Sequence, residues 1–520
     1  MPRHTGILLP LFSSTSSSSW GIGELPDLDP LASWVSACGC DRLMILPIGA
    51  VEAGQTSPYS AASAMAIDPI YIGVEAVLEF ARVGGVASLP DTARRALDEV
   101  RASHVVQYDR VRHLKKDALD WAFGLFVREE WEPRTARASA FAAYISRERW
   151  WLDDHALFQA VADTQPGVSW RQWPAPLRDR EPEALDAARR QLARPILQHQ
   201  YLQWIAEEQW QSARAAAALH GVAIFGDLPF AVNTHSADVW ARADEFLLDV
   251  SVGVPPDAFS DTGQDWGLPA YRWDLIAERG YPWIRERARR TAALFSGIRV
   301  DHIIGFYRTY GRPQHGDPFF MPADEDAQQR QGETILGIFK ETGAALIAED
   351  LGTVPDMLRP SLERLGVAGC KVLRWERDWG APGRPFVDPA DYPPRSCAMT
   401  GTHDTETLSG WWEVTSLDDR AALFRLPRFR ERGFVDPAQS WNAALRDALL
   451  ELACSAGSDE LFVALQDLFG WPDRINLPGT VGAQNWTWRL PWPIDLFSEI
   501  PETTERARSC RDLVARRRAR

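Results

Sequence analysis

The chain has 520 residues, a length that suits either several ordinary domains or one barrel with large insertions. Apolar residues make up 45% and charged residues 24%, which are typical of globular proteins and exclude a disordered or fibrous chain. The net charge of −15 makes nucleic acid and membranes poor candidate partners, because an acidic surface repels phosphate and anionic lipid. The basic cluster at residues 516–520 is predicted to be a frayed, solvated tail rather than a binding site.

Short apolar runs recur along the chain, and longer amphipathic stretches separate them. This alternation is typical of a parallel sheet with crossover helices. The runs are Gly6–Leu11, Arg42–Pro47, Val222–Asp227, Gly297–Asp301, Ala345–Glu349, Cys370–Trp375, Cys397–His403 and Leu461–Leu465. Eight such units predict an α/β fold, a closed (β/α)8 TIM barrel with inserted, mostly helical subdomains.

The apolar segment 6–12 after Arg3 leaves an alternative open, because it has the minimum length of a signal peptide's apolar region. It contains Pro10 and leads into a serine run without an A-x-A cleavage site, so a first buried strand is favoured. No run reaches the roughly 18 apolar residues of a transmembrane helix. The 6 cysteines are few and scattered, which favours unpaired thiols in a reducing compartment. We therefore expect a cytoplasmic protein.

The predicted strands are unevenly spaced, and the long gaps indicate insertions. Residues 65–195 have helical periodicity and many charges, which predicts a largely helical insertion after the second strand. Residues 249–274 are rich in Pro, Gly and aromatic residues, which predicts an irregular lid or binding loop. We therefore predict one elaborated domain, with barrel strands one and two in 1–64, the insertion in 65–195 and the remaining barrel in 196–520. Further helices are predicted at Ile196–His220, Trp283–Phe295 and Trp441–Ala456.

Acidic residues end several of the predicted strands, where a barrel carries its catalytic groups. Asp301 ends strand four, Glu349 ends strand five, and Asp404 ends strand seven. Retaining glycoside chemistry requires such a set, with one ionised carboxylate for attack and one protonated carboxyl as acid. Arg299 lies two residues before Asp301 on the same face, and we expect its guanidinium to lower the pKa of Asp301. Glu349 requires a raised pKa from a drier, more negative setting.

A structural explanation competes with the catalytic one for each acidic residue. An Asp or Glu at a strand end often caps the next helix or closes a salt bridge, and any one position alone is better explained that way. Three acids in the correct strand order, with Arg299 or His403 beside two of them, favour catalysis.

The motifs around these acids resemble those of the amylomaltases, the 4-α-glucanotransferases of the α-amylase clan. The shared segments are G-I-R-V-D-H, A-E-D-L-G and T-G-T-H-D-T at the acids, I-L-L-P-L-F-S and W-G-I-G-E-L near the start, S-P-Y at residues 57–59, and N-L-P-G-T-V-G-A-Q-N-W-T-W-R near the end. The resemblance covers almost the whole chain. It implies maltooligosaccharides and α-1,4-glucans as substrates, with neither a metal nor an organic cofactor.

The resemblance also implies roles for individual residues. Asp301 would form a covalent glucosyl-enzyme, Glu349 would act as acid and then base, and Asp404 would stabilise the transition state. Residues expected around the sugar on the donor side are Tyr59, Asp227, Arg299 and His403. Residues expected to contact the glucan from loops are Trp266 and Asn485, although each suits a structural role as well.

The catalytic set alone leaves the reaction open between transfer and hydrolysis, because both share the covalent intermediate. The lid sequence and the resemblance favour a 4-α-glucanotransferase, and an α-glucan hydrolase is the alternative. A non-catalytic glucan-binding barrel is disfavoured because all three acids are present. The lid departs from the family pattern at Asp265 and Leu268, which puts the preferred chain length and acceptor in doubt.

Overall fold

A closed barrel of parallel strands forms the centre of the computed structural model, which describes residues 3–52, 54–256, 262–480 and 482–519. The strands within those ranges are β1 (His4–Leu8), β2 (Arg42–Met44), β3 (Ala223–Leu228), β4 (Phe246–Val254), β5 (Gln264–Tyr271), β6 (Gly297–Val300), β7 (Thr309–Pro313), β8 (Phe319–Met321), β9 (Ala345–Ala348), β10 (Ala368–Val372), β11 (Ser396–Met399) and β12 (Glu460–Ala464). The barrel order is β1-β12-β11-β10-β9-β6-β3-β2. The predicted (β/α)8 barrel is confirmed.

Neighbouring barrel strands pair in parallel, and their register fixes the height of the side chains at the mouth. Val300 of β6 pairs with Ala348 of β9, so the next residues, Asp301 and Glu349, emerge side by side. Most strands end earlier than predicted, and His403 lies four residues beyond the end of β11. Asp301, Glu349 and Asp404 therefore follow their strands instead of ending them.

Side chains that point inward fill the barrel. Phe225, Phe462, Met44 and Met399 belong to a buried cluster separate from the larger one around the strands. Gly297 leaves the space that Phe225 occupies, because a Cβ at Gly297 would lie 2.1 Å from the Cε1 atom of Phe225. The barrel is therefore a packed core and not a channel.

Helices surround the barrel and fill the gaps between strands. Within the described ranges they are α1 (Leu28–Ala37), α2 (Leu78–Arg82), α3 (Asp91–Ala102), α4 (Tyr108–Phe126), α5 (Ala136–Asp163), α6 (Ala175–Arg178), α7 (Pro182–Gln191), α8 (Ala193–Leu219), α9 (Ala237–Ala241), α10 (Trp273–Glu278), α11 (Pro282–Leu294), α12 (Ile304–Tyr307), α13 (Glu325–Glu341), α14 (Leu358–Leu365), α15 (Leu408–Val414), α16 (Leu417–Phe424), α17 (Pro427–Glu431), α18 (Ala443–Cys454), α19 (Leu465–Phe469) and α20 (Pro501–Arg518). None of these described helices has the length and apolar character needed to cross a membrane.

Seven helices, α2 to α8, lie between β2 and β3 in the described part of the chain. Thr135 caps α5 by accepting a hydrogen bond from the backbone N–H of Ala138, and Phe141 and Trp151 bury one side of this long helix. Bulky aromatic residues of α4, α5 and α8 pack against one another, and they belong to the same buried cluster as the outward-facing residues of the barrel strands. The domain limits at residues 64 and 195 stay predictions.

The segment 249–274 is mostly strand, so the prediction of an irregular loop is wrong. Strands β4 and β5 pair in an antiparallel sheet with the order β5-β4-β7-β8. Strand β7 joins from residues 309–313, about 60 positions along the chain, and this distant pairing stabilises a segment rich in Pro and Gly. Residues 257–261 of the segment lie outside the described residues.

The C-terminal basic cluster is helical up to Arg518, so the prediction of a frayed tail is wrong in the described residues 516–519. Arg517 is buried and donates hydrogen bonds to the carbonyl oxygens of Ala456 and Ser458. Arg518 forms an ion pair with Asp41 at 3.1 Å. The arginines thus hold α20 against the end of the barrel where β2 and β12 begin.

We expect Gly297→Ala to destabilise the protein, because the added methyl group would collide with Phe225 inside the barrel. Overpacking of this kind costs about 1–3 kcal/mol. The matched control is Gly337→Ala in α13, where a Cβ would meet no atom within 4 Å, and a glycine-to-alanine change in a helix adds about 0.5–1 kcal/mol. The melting temperature measured by calorimetry should fall in Gly297→Ala and rise in Gly337→Ala. An unchanged value for Gly297→Ala would contradict the close contact.

Candidate active site

Three adjacent barrel strands bring charged side chains to one mouth. Asp227 lies near the end of β3, Arg299 lies within β6, Asp301 follows β6, and Glu349 follows β9. These strands are neighbours in the barrel. Asp404 comes from the loop after β11, on the other side of β10. The fold therefore collects residues that are more than 170 positions apart in the chain.

The buried guanidinium of Arg299 is the centre of this group. Its Nη1 atom donates to Oδ2 of Asp227 at 2.6 Å and to Oδ1 of Asp301 at 3.1 Å. Its Nη2 atom lies 3.6 Å from Oε2 of Glu349. One cation thus contacts three carboxyl groups, and the predicted pairing of Arg299 with Asp301 is confirmed.

The ionisation of Asp301 differs from the sequence-based expectation. Burial raises the pKa of Asp301 above its ordinary value, and the opposing effects of Arg299 and His403 do not reverse that rise. The expected lowering by Arg299 is therefore wrong as a net effect. Its physical reason is loss of hydration, which penalises the charged form. Asp301 still keeps 23% of its side chain exposed, so it faces the open mouth.

Glu349 has the raised pKa that the sequence argument requires. Burial raises the pKa of Glu349 to about 8, the negative charge of Asp301 adds to the rise, and Arg299 opposes it. Its Oε2 atom accepts a hydrogen bond of 2.6 Å from the backbone N–H of His302. At neutral pH this carboxyl group is therefore mostly protonated and can donate a proton.

Asp404 is ionised, in contrast to the protonated Glu349. Although burial disfavours its charge, the adjacent imidazole of His403 and the hydrogen bonds from His403 and Asn476 lower the pKa of Asp404 to about 2. Nε2 of His403 lies 3.2 Å from Oδ2 of Asp404, and Nδ2 of Asn476 donates to Oδ1 at 2.6 Å. In turn Asp404 raises the pKa of His403, against the effect of burial. The carboxylate is ionised and held on both oxygens.

Tyr59 connects the carboxyl groups around Arg299 with the pair formed by His403 and Asp404. Its hydroxyl donates to Oδ2 of Asp227 at 2.8 Å and lies 3.4 Å from Nδ1 of His403. The rings of Tyr59 and His403 stack with centroids 4.9 Å apart, and Trp486 packs against both rings. Four residues predicted to surround the sugar, Tyr59, Asp227, Arg299 and His403, therefore form one connected cluster.

Trp266 of β5 reaches the same mouth from the second sheet. Its ring packs edge to face on His302 with centroids 4.8 Å apart, and His302 has a positive φ of 45° directly after Asp301. Burial lowers the pKa of His302 to about 4, so this contact is with a neutral imidazole. The stacking of Trp266 on a glucan stays a prediction.

Asn485 is the predicted site residue that the structure does not bring into this cluster. Its Oδ1 atom accepts from the backbone N–H of Leu477, and its Nδ2 atom donates to both oxygens of Thr480. These bonds hold its own loop together. A sugar contact by Asn485 stays a prediction, now with its amide already engaged.

Sequence reasoning missed the residues that hold Asp404. Asn476 binds its carboxylate, and Arg474 donates to its backbone carbonyl oxygen at 2.8 Å and pairs with Glu406 at 2.9 Å. Asn476 opens the N-L-P-G-T segment, which was recognised only as a whole. The sequence did offer one signal for Asn476: it is a polar residue at the start of a segment that resembles the known family.

Comparison with known proteins gives consistent matches along the chain. The sequence profile of a family described as 4-alpha-glucanotransferase matches residues 9–495. The 4-alpha-glucanotransferase of Chlamydia pneumoniae is 31% identical over 507 residues, covering 94% of this chain and 91% of the relative. That of Thermus thermophilus is 33% identical over 512 residues, covering 94% and 95%. The structure of the Streptococcus agalactiae amylomaltase in complex with acarbose superposes with a TM-score of 0.82 at 25% identity, covering 99% of both chains.

We expect Arg299→Leu to destabilise the protein by about 3–5 kcal/mol, because it leaves buried carboxyl groups without their cation. Their folded-state pKa values should rise further above the unfolded values. A raised carboxyl pKa weakens the fold as pH rises, so the drop in melting temperature should be larger near about pH 8 than near about pH 5. Exposed Arg330→Leu is the control and should change little. Equal drops at both pH values would contradict the electrostatic origin.

Proposed function

Because this chain belongs to the 4-alpha-glucanotransferase family and has that activity, we propose that it transfers α-1,4-glucan segments by a retaining double displacement. Asp301 is the nucleophile, Glu349 is the acid and base, and Asp404 stabilises the transition state. Maltooligosaccharides and longer α-1,4-glucans are the donors, and glucose or maltooligosaccharides are the acceptors.

The position of Asp301 beside Glu349 is the observation that carries this proposal. They follow paired residues on neighbouring parallel strands, and such strands lie roughly 4.8 Å apart. Retaining enzymes have their two carboxyl groups about 5–5.5 Å apart, whereas inverting enzymes have them about 6.5–9.5 Å apart. Both side chains also reach the guanidinium of Arg299. The closeness of both carboxyl groups to one guanidinium supports direct attack by Asp301 in a retaining mechanism.

The first step breaks the glycosidic bond. A carboxylate oxygen of Asp301 bonds to the anomeric carbon while the carboxyl proton of Glu349 passes to the departing oxygen. The pKa of about 8 at Glu349 supports its role as the acid. Arg299 and His403 favour the ionised form of Asp301 against the effect of burial.

Positive charge develops on the sugar ring between bond breaking and bond making. The ionised Asp404, whose pKa is about 2, supplies a fixed negative charge for this oxocarbenium-like state. In the second step Glu349, now a carboxylate, removes the proton from an acceptor hydroxyl, and the acceptor oxygen displaces Asp301 from the anomeric carbon. The configuration at the anomeric carbon is thereby retained.

Transfer prevails over hydrolysis when an acceptor sugar binds well and water is excluded. Trp266 lies over the mouth against His302, next to Asp301, and supports such exclusion on one side of the site. The 6 cysteines are all unpaired and buried, which supports the cytoplasm as the location.

Maltotriose alone should give longer and shorter products at a constant number of reducing ends. We expect Asp301→Asn to reduce this transfer on the order of 10⁴-fold, because no covalent intermediate can form. Chromatography by chain length measures the products, and a reducing-end assay measures the number of reducing ends. Exposed Asp317→Asn is the matched control and should keep full activity. Rising reducing ends with only shorter products would identify a hydrolase instead.

The rate with maltotriose should fall as pH rises through about 8, because Glu349 then loses the proton that it donates. An α-maltosyl fluoride donor requires no proton for its leaving group. Glu349→Gln should therefore release one burst equivalent of fluoride, with no loss of the burst as pH rises through this range. The test is to measure the amplitude of the fluoride burst as a function of pH. A loss of the burst near pH 8 in Glu349→Gln would contradict the assignment of Glu349 as the acid.

A further inference from the structure

A large cavity lies on the outer side of the barrel, between helices α5, α8 and α11. Its volume is about 870 Å³, which is within the range of about 300–1,000 Å³ that small-molecule sites occupy. Its lining includes none of the residues that form the cluster around Arg299. The proposed reaction gives this cavity no role.

Tyr144 of α5 lines the cavity with an unsatisfied hydroxyl group. The residue is only 2% exposed, and its hydroxyl has no hydrogen-bond partner among the described residues. Burial raises the pKa of this phenol, so it stays protonated and can both donate and accept. Buried hydroxyl groups are normally paired, and an unpaired one beside an open cavity indicates a missing polar partner.

Two indole rings give the cavity apolar surface. Trp204 is buried, and Trp150 is half-buried, so part of its surface is open to a ligand. A guanidinium lies over one face of each ring, Arg137 at 4.5 Å from Trp204 and Arg289 at 5.1 Å from Trp150. Flat rings of this kind pack against the apolar faces of sugar rings.

The charged side chains of the lining balance one another. Three arginines and three glutamates are present: Arg147, Arg289, Arg290, Glu148, Glu207 and Glu208. A balanced lining has no net attraction for an anion or a cation. It does offer many donors and acceptors, so it suits a neutral ligand with several hydroxyl groups.

The polar wall of the cavity is held in place before any ligand binds. Arg290 pairs with Glu207 at 2.9 Å and also donates to the backbone oxygen of Met65 at 2.9 Å. Glu148 accepts a hydrogen bond of 2.9 Å from the indole of Trp151. A fixed wall lowers the entropy cost of binding.

We propose that this cavity is a second carbohydrate-binding site, which holds one segment of a long α-1,4-glucan away from the cleavage point. The choice of an α-glucan rests on the function proposed above, whereas the choice of a neutral sugar rests on the cavity itself. The hydroxyl of Tyr144 bonds a sugar hydroxyl, and Trp150 packs on a ring face.

Binding of maltoheptaose to the Asp301→Asn protein tests the number of sites without turnover. Isothermal titration should give two sites per chain, and only one after Trp150→Ala is added. Trp121→Ala is the matched control, because Trp121 is 42% exposed on α4 and lies outside the cavity lining. One site in Asp301→Asn itself, or two sites after Trp150→Ala, would overturn the proposal.

Tyr144→Phe in the otherwise unchanged enzyme keeps the test decisive if Trp150→Ala does not fold. Its melting temperature should stay equal or rise, because the lost hydroxyl has no partner in the free protein. The KM for long amylose should rise about fivefold, the effect of losing one hydrogen bond, while kcat and KM for maltotriose stay the same. An unchanged KM for amylose would contradict the site. Failure of the proposed function is distinct, because Asp301→Asn would then still convert maltotriose.

Discussion

The buried guanidinium of Arg299 makes the chemistry at the mouth of the barrel possible, because it allows three carboxyl groups to lie close together with little water around them. Such a cation is stable only where carboxylates surround it, and these carboxylates are stable only beside it. The proposed reaction requires Asp301 and Glu349 in opposite protonation states. Burial opposes the ionisation of both groups, but Asp301 has His403 beside Arg299 to favour its charge, whereas Glu349 has the charge of Asp301 against its ionisation. Surroundings, more than residue type, divide the roles of acid and nucleophile.

Segments outside the barrel complete the site that the strands begin. Tyr59 comes from the long connection after β2, Trp266 comes from the antiparallel sheet, and Asn476 comes from the connection after β12. Each of them holds or covers a residue at the end of a barrel strand. The strands therefore set the bond-breaking groups, and the connections set how a glucan approaches them. Changes in chain-length preference can arise in the connections without disturbing the barrel.

The features that the sequence predicted well are those with a short-range signal. Buried parallel strands are short apolar runs, and Arg299 and Asp301 lie two residues apart, so both were visible locally. The net pKa of Asp301 was mispredicted because it depends on burial by the whole fold. Strands β4 and β5 were missed because their segment is rich in Pro and Gly, their pairing has shifts in register, and the second partner of β4, strand β7, is distant in the chain. The role of Asn476 was hidden for the same reason, since its contact with Asp404 spans 72 residues.

The barrel closes between its first and last strands, where β1 pairs with β12 from His4↔Glu460 to Leu8↔Ala464. During synthesis on the ribosome β1 can pair with β2 early, but its other edge has no partner until β12 emerges. At the usual rate of translation this interval lasts on the order of tens of seconds. An unpaired strand edge is a template for pairing with other chains. The nascent chain is therefore most exposed to aggregation along this seam, and Arg517 of α20 binds the connection that leads into β12.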